Sequence, residues 1–435
     1  MSNNCLIKRI VYRINIALAS PLSVSSGDDE WTDSDLLRDK NDNPFVSGSS
    51  LAGAMRAYLE KMKSEQCIFG YSGQDDSGKM SSLFLSDLTF YTEPVTGVRD
   101  GVKLTDGKVA ESGSKYETEI IEANAKGHFF MELVVRENDD EAAMVRELET
   151  VLNGIHAGEI RLGSKKTRGF GKMMIESVKR QTYSKENYCE YKDAYDERTY
   201  AACENELDRI LSNVKMNHKM IHIAVPLHME GGISIRRYAA RKNEPDYEHI
   251  TDHGVPVIPG SSFAGAIRHR AKTILEEMRA CDIAIPGNVD TILNIAFGFV
   301  NNKEKKACSS NVIINESVIT NATPLTMVRT GVSRFESAVK QGALYCEKTY
   351  VNGDLTLEMS VRKGNDPADE KWIVGLLLLA IKDLQNGFLA VGGQTAIGRG
   401  IFSANGNLTI DGEEGKEEIY IAELLQNFGN RKEKA

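Results

Sequence analysis

The chain has 435 residues, enough for two or three domains with cores of their own. It is 41% hydrophobic and 26% charged, as ordinary globular proteins are, and its net charge of −9 by itself argues against a nucleic-acid partner. The seven cysteines form no Cys-x-x-Cys pair, which argues against a zinc knuckle or a disulfide framework. No apolar run suits a signal peptide or a bilayer span, so we expect a cytoplasmic protein without membrane contact.

Two stretches of the chain are closely similar: "VSGSSLAGAMRAYLE" begins at Val46 and "IPGSSFAGAIRHRAK" begins at Ile258. Each is followed, in the same order, by Phe-Gly, by Ser-Ser with an apolar run, by "VRDGV" or "VRTGV", and by a glycine-rich loop. Those loops read "GSKKTRGFG" in the first copy and "GGQTAIGRG" in the second. Five collinear matches indicate a tandem duplication, with one insertion in the second copy around "MRACDIAIPGNVDTILNI".

Each copy predicts the same chain order of elements. A β-branched strand ("RIVYRINIAL" or "MIHIAVPLHM") precedes the Gly-Ser-Ser helix, then come further strands, a second helix, the glycine-rich loop and a closing strand. This order predicts an α+β fold of two tandem ferredoxin-like or RRM-like domains, each with its helices on one face of an antiparallel sheet. We expect a first domain at residues 1–178, a linker with one helix at 179–218, and a second domain at 219–435.

The Gly-Ser-Ser helices could bind an anion. The serines are expected at the helix N-caps, with one arginine about one and a half turns further along each helix: Ser49, Ser50 and Arg56 in the first copy, Ser261, Ser262 and Arg268 in the second. Free backbone N–H groups, hydroxyls and a nearby arginine suit a phosphate. The alternative is capping plus tight packing, in which the small trio Ala52-Gly53-Ala54 lets the helix lie close to the sheet. That alternative does not explain the repeated arginine.

The glycine-rich loops allow two interpretations, a close backbone approach to phosphate or a simple turn before a strand. The first loop carries Lys165, Lys166 and Arg168, and the second carries Arg399. These cations favour phosphate contact.

The loops before the two Gly-Ser-Ser helices differ in charge. The second combines cations with an aromatic ring, which suits single-stranded nucleic acid: Arg236, Arg237, Tyr238, Arg241 and Lys242. The first is acidic and could bind a hard cation or simply be solvated: Asp28, Asp29, Glu30, Asp33 and Asp35. Within them, "DSDLLRD" from Asp33 matches "DYEHITD" from Asp246 with the aspartates in register.

Together, these motifs resemble the RAMP superfamily, and specifically a tandem, Cas-seven-like backbone subunit of type III CRISPR effector complexes. The resemblance implies a filament of subunits along a CRISPR guide RNA, with complementary target RNA and other type III effector subunits as partners. It also implies a β-hairpin thumb in each domain, at about 98–121 and 328–351, which wedges between guide and target. Arg99 and Arg329 would lie at the thumb bases and contact RNA.

The resemblance further implies an endoribonuclease that depends on Mg²⁺ or another divalent cation and leaves a cyclic phosphate. Its required aspartate lies in a D-S-apolar-apolar-apolar-R-D pattern. That aspartate falls on Asp33, where the pattern is broken only at Asp35. In the second copy it falls on Asp246, where both aspartates are kept and the middle of the pattern changes.

Three other functions remain open from the sequence. The chain could be a catalytically inactive guide-binding scaffold, or a guide-RNA-processing endonuclease of the same superfamily. The second chemistry usually depends on histidine, and the eight histidines form no repeated pair, which tells against it. Duplicated ferredoxin-like domains could also form a small-molecule enzyme.

Overall fold

The structure is a computed structural model that describes residues 5–430 except 26, 28–30, 65–67, 73–77, 106, 108, 214–218, 239–244, 302–303 and 365–366. The chain forms two compact units. The first comprises residues 1–102, 112–166 and 170–217, and the second comprises residues 103–111, 167–169 and 218–435. No helix in the described part of the chain has the length and apolar character that crossing a bilayer requires.

The first unit is built on a sheet with the strand order β4-β8-β1-β9, in which β1 pairs antiparallel with both β8 and β9. This is the order expected of a ferredoxin-like domain. Its elements are β1 Leu6–Leu18, α1 Gly48–Met62, β2 Tyr71–Ser72, β3 Gly78–Lys79, β4 Leu83–Leu85, β5 Thr89–Phe90, β6 Thr96–Gly101, β7 Tyr116–Ile121, β8 Lys126–Arg136, α2 Glu141–His156, β9 Met173–Tyr183 and α3 Leu207–Asn213.

The core of the first unit lies between this sheet and its two long helices. Strand β1 alternates so that Ile10, Tyr12 and Ile14 point into the core, where they meet the apolar stripes of α1 and α2. Asp140 caps the N-terminus of α2 by accepting a hydrogen bond from the amide of Ala143.

The opposite face of the same sheet is also covered, by the polar segment that follows β9. Val11 and Phe130 of the sheet pack against Tyr200 from this segment. Glu132, only 3% exposed, accepts hydrogen bonds from the hydroxyls of tyrosines in the segment and pairs with Arg9 of β1. The outer sheet face of the first unit is therefore closed, and it is not available as the RNA platform that RRM domains use.

The second unit repeats the plan with the sheet order β18-β22-β10-β24-β25, and β23 also pairs with β10. Its elements are β10 Met220–Glu230, β11 Gly232–Ile233, β12 Arg236–Tyr238, β13 Tyr247–His249, β14 Thr251–Asp252, β15 Val255–Ile258, α4 Gly260–Ala280, α5 Val289–Phe297, β16 Phe299–Asn301, β17 Lys306–Cys308, β18 Val312–Ile314, β19 Ser317–Val318, β20 Thr323–Val332, β21 Val339–Val351, β22 Asp354–Arg362, α6 Pro367–Gln385, β23 Ile401–Ala404, β24 Thr409–Ile410, β25 Glu413–Glu414 and α7 Glu417–Asn430. The α+β, tandem ferredoxin-like prediction is confirmed, and α5 lies in the stretch that the second copy gains.

Each unit also carries an antiparallel hairpin near the range predicted for a thumb. In the first unit β6 pairs with β7, and in the second β20 pairs with β21 along most of their length. The second hairpin closes at Val332 and Val339, and Phe335 in its turn is fully exposed. Both hairpins begin a few residues before the predicted positions.

The expectation that the small trio lets the Gly-Ser-Ser helix approach the sheet is wrong for its glycine. Gly53 is exposed, and a Cβ built on it would have no other atom within 4 Å; the same holds for Gly265 in the second unit. The helix reaches the core through Leu51, Met55 and Leu59 instead. An exposed helical glycine costs stability relative to alanine, so both copies tolerate the same local weakness.

The last glycine of each glycine-rich loop has a clear steric reason. Gly171 and Gly400 have φ values of +74° and +72°, which favour glycine. A Cβ on Gly171 would lie 1.9 Å from the carbonyl oxygen of Leu162, and one on Gly400 would lie 1.8 Å from that of Val391. Tight packing was predicted for the glycine of the helix, but it is found at the last glycine of each glycine-rich loop.

We expect Gly171→Ala and Gly400→Ala each to lower the free energy of unfolding by at least about 2 kcal/mol, because each adds backbone strain and a clash. Gly53→Ala and Gly265→Ala are the matched controls, and each should raise it by up to about 1 kcal/mol. Urea unfolding of the four variants measures the differences. Equal effects at the loop and helix positions would contradict this account.

Candidate functional site

Asp33 is held against the returning strand of the first thumb. The backbone amide of Glu117, in β7, donates to Asp33 Oδ2 at 2.6 Å, and the aspartate side chain is exposed. Two residues further along β7, the amide of Glu119 donates to the carbonyl oxygen of Ser34 at 3.1 Å. The loop that carries Asp33 is thus joined to the thumb strand by hydrogen bonds from two backbone amides of that strand.

The side chain of Glu119 fixes the second half of that loop. One carboxylate oxygen accepts the amide of Leu36 at 2.9 Å, and the other pairs with the guanidinium of Arg38. Leu36 itself is buried in the core. The loop therefore has a defined path on both sides of Asp33.

Asp35, which stands where the family pattern has an apolar residue, has a structural role in the loop. The side chain is only 7% exposed, and its two oxygens accept the amides of Trp31 at 3.0 Å and Thr32 at 2.8 Å. The Thr32 hydroxyl adds a third hydrogen bond at 2.8 Å. This carboxylate serves as an anchor for the backbone, so it is not part of an open cation-binding cluster. The other acidic residues of the predicted cluster, at 28–30, lie outside the described residues.

Asp246 makes the same contact in the second unit. The amide of Cys346, in the returning thumb strand β21, donates to Asp246 Oδ2 at 2.7 Å, and Asp246 is exposed. The next two residues, Tyr247 and Glu248, pair in parallel with β21. The two aspartates that align in the sequence thus share one geometry, an exposed carboxylate on a thumb-strand amide.

Of the cations predicted to contact phosphate, Arg399 is buried. It is 5% exposed and lies 2.5 Å from an oxygen of Glu347, which is fully buried in β21. Ser234 and Gln394 also donate to Glu347, and Arg329 approaches it to 4.0 Å. This arrangement favours a structural role for Arg399, since contact with phosphate would require breaking a buried ion pair.

The two glycine-rich loops contact their thumbs through equivalent residues. Lys165, in a left-handed conformation, donates to the hydroxyl of Thr118 at 2.8 Å and lies 4.5 Å from the ring centre of Tyr116. Gln394 occupies the same left-handed position in the second loop and donates to Glu347. Lys165 is therefore engaged within the domain.

The helix N-termini differ from the prediction. Ser47, two residues before Ser49, is the N-cap of α1, and Pro259 precedes α4. The amide of Gly48 donates to the carboxylate of Asp87 at 2.7 Å, so an internal anion already lies at the start of α1. The predicted serines are the second and third residues of each helix; Ser49 and Ser261 are exposed and Ser50 and Ser262 half-buried.

Several other predicted cations are exposed, some of them in contact with neighbouring side chains. Arg56 lies 3.4 Å from Glu60 at its own helix surface, and Arg268 donates to Asn294 at 3.3 Å. The guanidinium of Arg236 stacks 4.5 Å from the ring centre of Tyr247. Lys166, Arg168 and Arg237 are also exposed, whereas Arg99 is buried at 5% and Arg329 is half-buried. The predicted cations Arg241 and Lys242 lie outside the described residues.

Two residues that line a groove in the first unit, Tyr71 and Lys79, were not singled out from the sequence. A groove of about 500 Å³ in the first unit is lined by Gly53, Arg56, Tyr71 and Lys79, among others. Tyr71 is 60% exposed. The signal that could have found it is its place directly after Phe-Gly, where the second copy also has an aromatic residue, Phe299.

The ion pair between Glu347 of the second thumb and Arg399 stabilises the fold to an extent that depends on pH. Burial raises the pKa of Glu347, but the hydrogen bond and charge of Arg399 outweigh burial and hold the pKa below its ordinary value. We expect Glu347→Gln to cost about 3–5 kcal/mol at neutral pH, because it leaves Arg399 buried without a counter-charge.

The stabilisation from ionised Glu347 is present above the carboxyl pKa of the unfolded chain and is lost as the pH falls through the lowered pKa of the folded protein. Urea unfolding between about pH 7 and pH 3 should therefore show a shallower loss of stability in Glu347→Gln than in the wild type. Glu248→Gln, in the neighbouring strand and 3.8 Å from Lys348, is the control and should cost less than about 1 kcal/mol. A cost at Glu248 as large as that at Glu347 would refute the assignment.

The family comparison identifies both repeats. A family model described as RAMP superfamily matches residues 15–174 and again residues 223–403. No curated protein matches the chain. The two matched regions confirm the predicted tandem arrangement and coincide with the two ferredoxin-like units. The chain therefore belongs to the RAMP superfamily.

Proposed function

We propose that the protein is a guide-RNA-binding backbone subunit of a cytoplasmic type III CRISPR ribonucleoprotein that cleaves complementary target RNA. Membership of the RAMP superfamily supports the coarser part of this proposal, a CRISPR-associated role in RNA binding. The finer part is supported by one repeated observation. In each unit an exposed aspartate accepts a backbone amide from the returning strand of the thumb.

The exposed cations support RNA binding despite the acidic net charge. Lys166 and Arg168 project from the glycine-rich loop of the first copy, and Arg56 and Lys79 flank the groove beside the Gly-Ser-Ser helix. The carboxylate of Asp35 is buried and accepts backbone amides, so this negative charge does not lie on the surface. The sum of charges therefore understates how basic the RNA-facing surface can be.

The geometry at Asp33 suits cleavage by the ribose 2′-hydroxyl. That reaction needs the 2′ oxygen in line with the adjacent phosphorus, a geometry that a nucleotide flipped out of a duplex can adopt. A thumb that wedges into the duplex would supply the flip, and the loop that carries Asp33 is hydrogen-bonded to the returning strand of the thumb. Its exposed carboxylate would accept the 2′ proton or hold a cation at the phosphate.

The residues present fit a Mg²⁺ ion held mainly by RNA and water. Mg²⁺ in nucleic-acid enzymes usually takes one or two protein carboxylates plus phosphate oxygens. Asp33 offers one exposed carboxylate, whereas the oxygens of Asp35 already accept backbone amides. Bound there, the ion would stabilise the charge that develops on the phosphate.

Each aspartate is expected to control its own cut. Asp33→Asn keeps an oxygen for the Glu117 amide but removes the charge, so one product of target cleavage should disappear while guide binding and the other product remain. Asp246→Asn should remove the other product. The measurement is denaturing gel analysis of end-labelled target RNA cut by the assembled complex with Mg²⁺.

The control is Asp42→Asn, which changes an exposed aspartate of the same loop region, 86% exposed in its side chain. It should leave both products unchanged. Retention of every cut in Asp33→Asn would show that Asp33 is not catalytic. Retention of every cut when Asp33 and Asp246 are both changed to asparagine would favour a binding scaffold.

Guide binding should depend strongly on salt, because each neutralised phosphate releases counterions. Reversing Lys166 and Arg168 to glutamate should weaken binding to all guide sequences alike and lower the slope of log K against log salt by about 1.4, the value for two contacts on single-stranded RNA. Filter binding at several salt concentrations measures both.

Reversal of Lys382 and Lys416 is the matched control, since these lysines pair with Glu417 and Glu413 and are not among the proposed contacts. It should leave the slope unchanged. A wild-type slope near zero would exclude a guide-binding role.

A further inference from the structure

We propose that Trp31 is a stacking platform that holds a base of the target RNA at the Asp33 site. This inference rests on the proposed function and names a residue and a contact that the proposal above does not include. The ligand is one unpaired nucleobase, flipped out of the guide–target duplex. The contact is the face of the indole ring.

The first support is exposure. Trp31 is 86% exposed, although tryptophan is usually among the more buried residues of a folded protein. The chain has two tryptophans, and the other, Trp372, is 3% exposed in the core of the second unit. In the same loop Leu36 is 4% exposed, so the loop buries one large apolar side chain and presents the other to solvent.

The second support is that the backbone of Trp31 is fixed. Its amide donates to Asp35 Oδ2 at 3.0 Å, and the amide and hydroxyl of Thr32 donate to the other oxygen of the same carboxylate. Asp35 is itself buried. It also stands where the family pattern has an apolar residue, so the substitution that breaks the pattern is the one that anchors Trp31.

The third support is position. Trp31 precedes Asp33 by two residues, so their Cα atoms lie within about 7 Å of each other. A base flipped from a duplex loses the stacking of its neighbours, and an aromatic side chain can replace that stacking whatever the base is. A platform beside the carboxylate would hold the nucleotide next to the group that acts on its ribose.

The second copy lacks this pair of residues. With the aspartates in register, Glu244 stands in place of Trp31, and Glu248 stands in place of Asp35. Glu244 lies outside the described residues, and the Glu248 carboxylate lies 3.8 Å from Lys348 of the thumb strand. The platform therefore belongs to the first site alone, and its loss should affect only one of the two cuts.

The experiment uses target RNA that carries 2-aminopurine in turn at each position of the guide-matched segment, with a fluorescein at one end. The complex is assembled with guide RNA and the Asp33→Asn chain, so that the first site does not cut. At one position the 2-aminopurine emission should be quenched by stacking, and Trp31→Ala should raise that emission several-fold. Trp31→Phe should keep most of the quenching, since a phenyl ring also stacks.

In chains with Asp33 intact, Trp31→Ala should slow the first cut about 10-fold, as expected for the loss of one aromatic stacking contact, and leave the second cut unchanged. The unchanged second cut also shows that the variant is folded. Fluorescein anisotropy separates the two possible failures. Capture of target without any change of 2-aminopurine emission in Trp31→Ala would overturn the stacking inference alone, whereas no capture of target would overturn the proposed function and this inference with it.

Discussion

The hydrogen bond between a thumb-strand amide and a loop aspartate is the constraint on which the candidate site depends. It occurs at Asp33 with the amide of Glu117 and at Asp246 with that of Cys346. Because the donor is backbone, the contact fixes where the carboxylate stands relative to the thumb hairpin, whatever side chains the strand carries. Under the proposed function, this contact would keep the aspartate beside the element that enters the RNA duplex, and so would link distortion of the substrate to the group proposed to act on it.

The side chains around this shared contact differ between the copies. In the first unit Glu119 of the thumb strand binds the acidic loop through Arg38 and the Leu36 amide. In the second, Glu347 of the thumb strand binds the glycine-rich loop through Arg399. Duplication has thus kept the backbone geometry, while the bracing carboxylate stands at a different position of the strand, because Glu347 aligns with Thr118 and not with Glu119. Such a change is possible because a buried carboxylate needs satisfied hydrogen bonds, and several neighbouring elements can provide them.

The repeat made much of the fold predictable from sequence, because two copies of one pattern report the same strand and helix periods independently. The register of Asp33 with Asp246 was also visible in the sequence. The sequence could not show which way individual residues face or which side chains pair with each other. Nothing in "AGA" tells that Gly53 faces solvent, and nothing in "GRG" tells that Arg399 turns inward to meet Glu347 from a strand about fifty residues earlier. Those outcomes depend on tertiary contacts between segments distant in the chain.

The acidic loop shows how a departure from a pattern becomes informative once the structure is known. In the sequence, Asp35 reads as one member of a carboxylate cluster, and a cluster of that kind suggests a cation site. In the structure its oxygens are committed to the amides of Trp31 and Thr32, which separates an anchoring carboxylate from the exposed carboxylate of Asp33. A buried charge is costly unless it is fully hydrogen-bonded, so its presence here is best explained by the shape that it imposes on the loop. That shape leaves one aromatic ring and one carboxylate exposed to solvent, two residues apart in the chain.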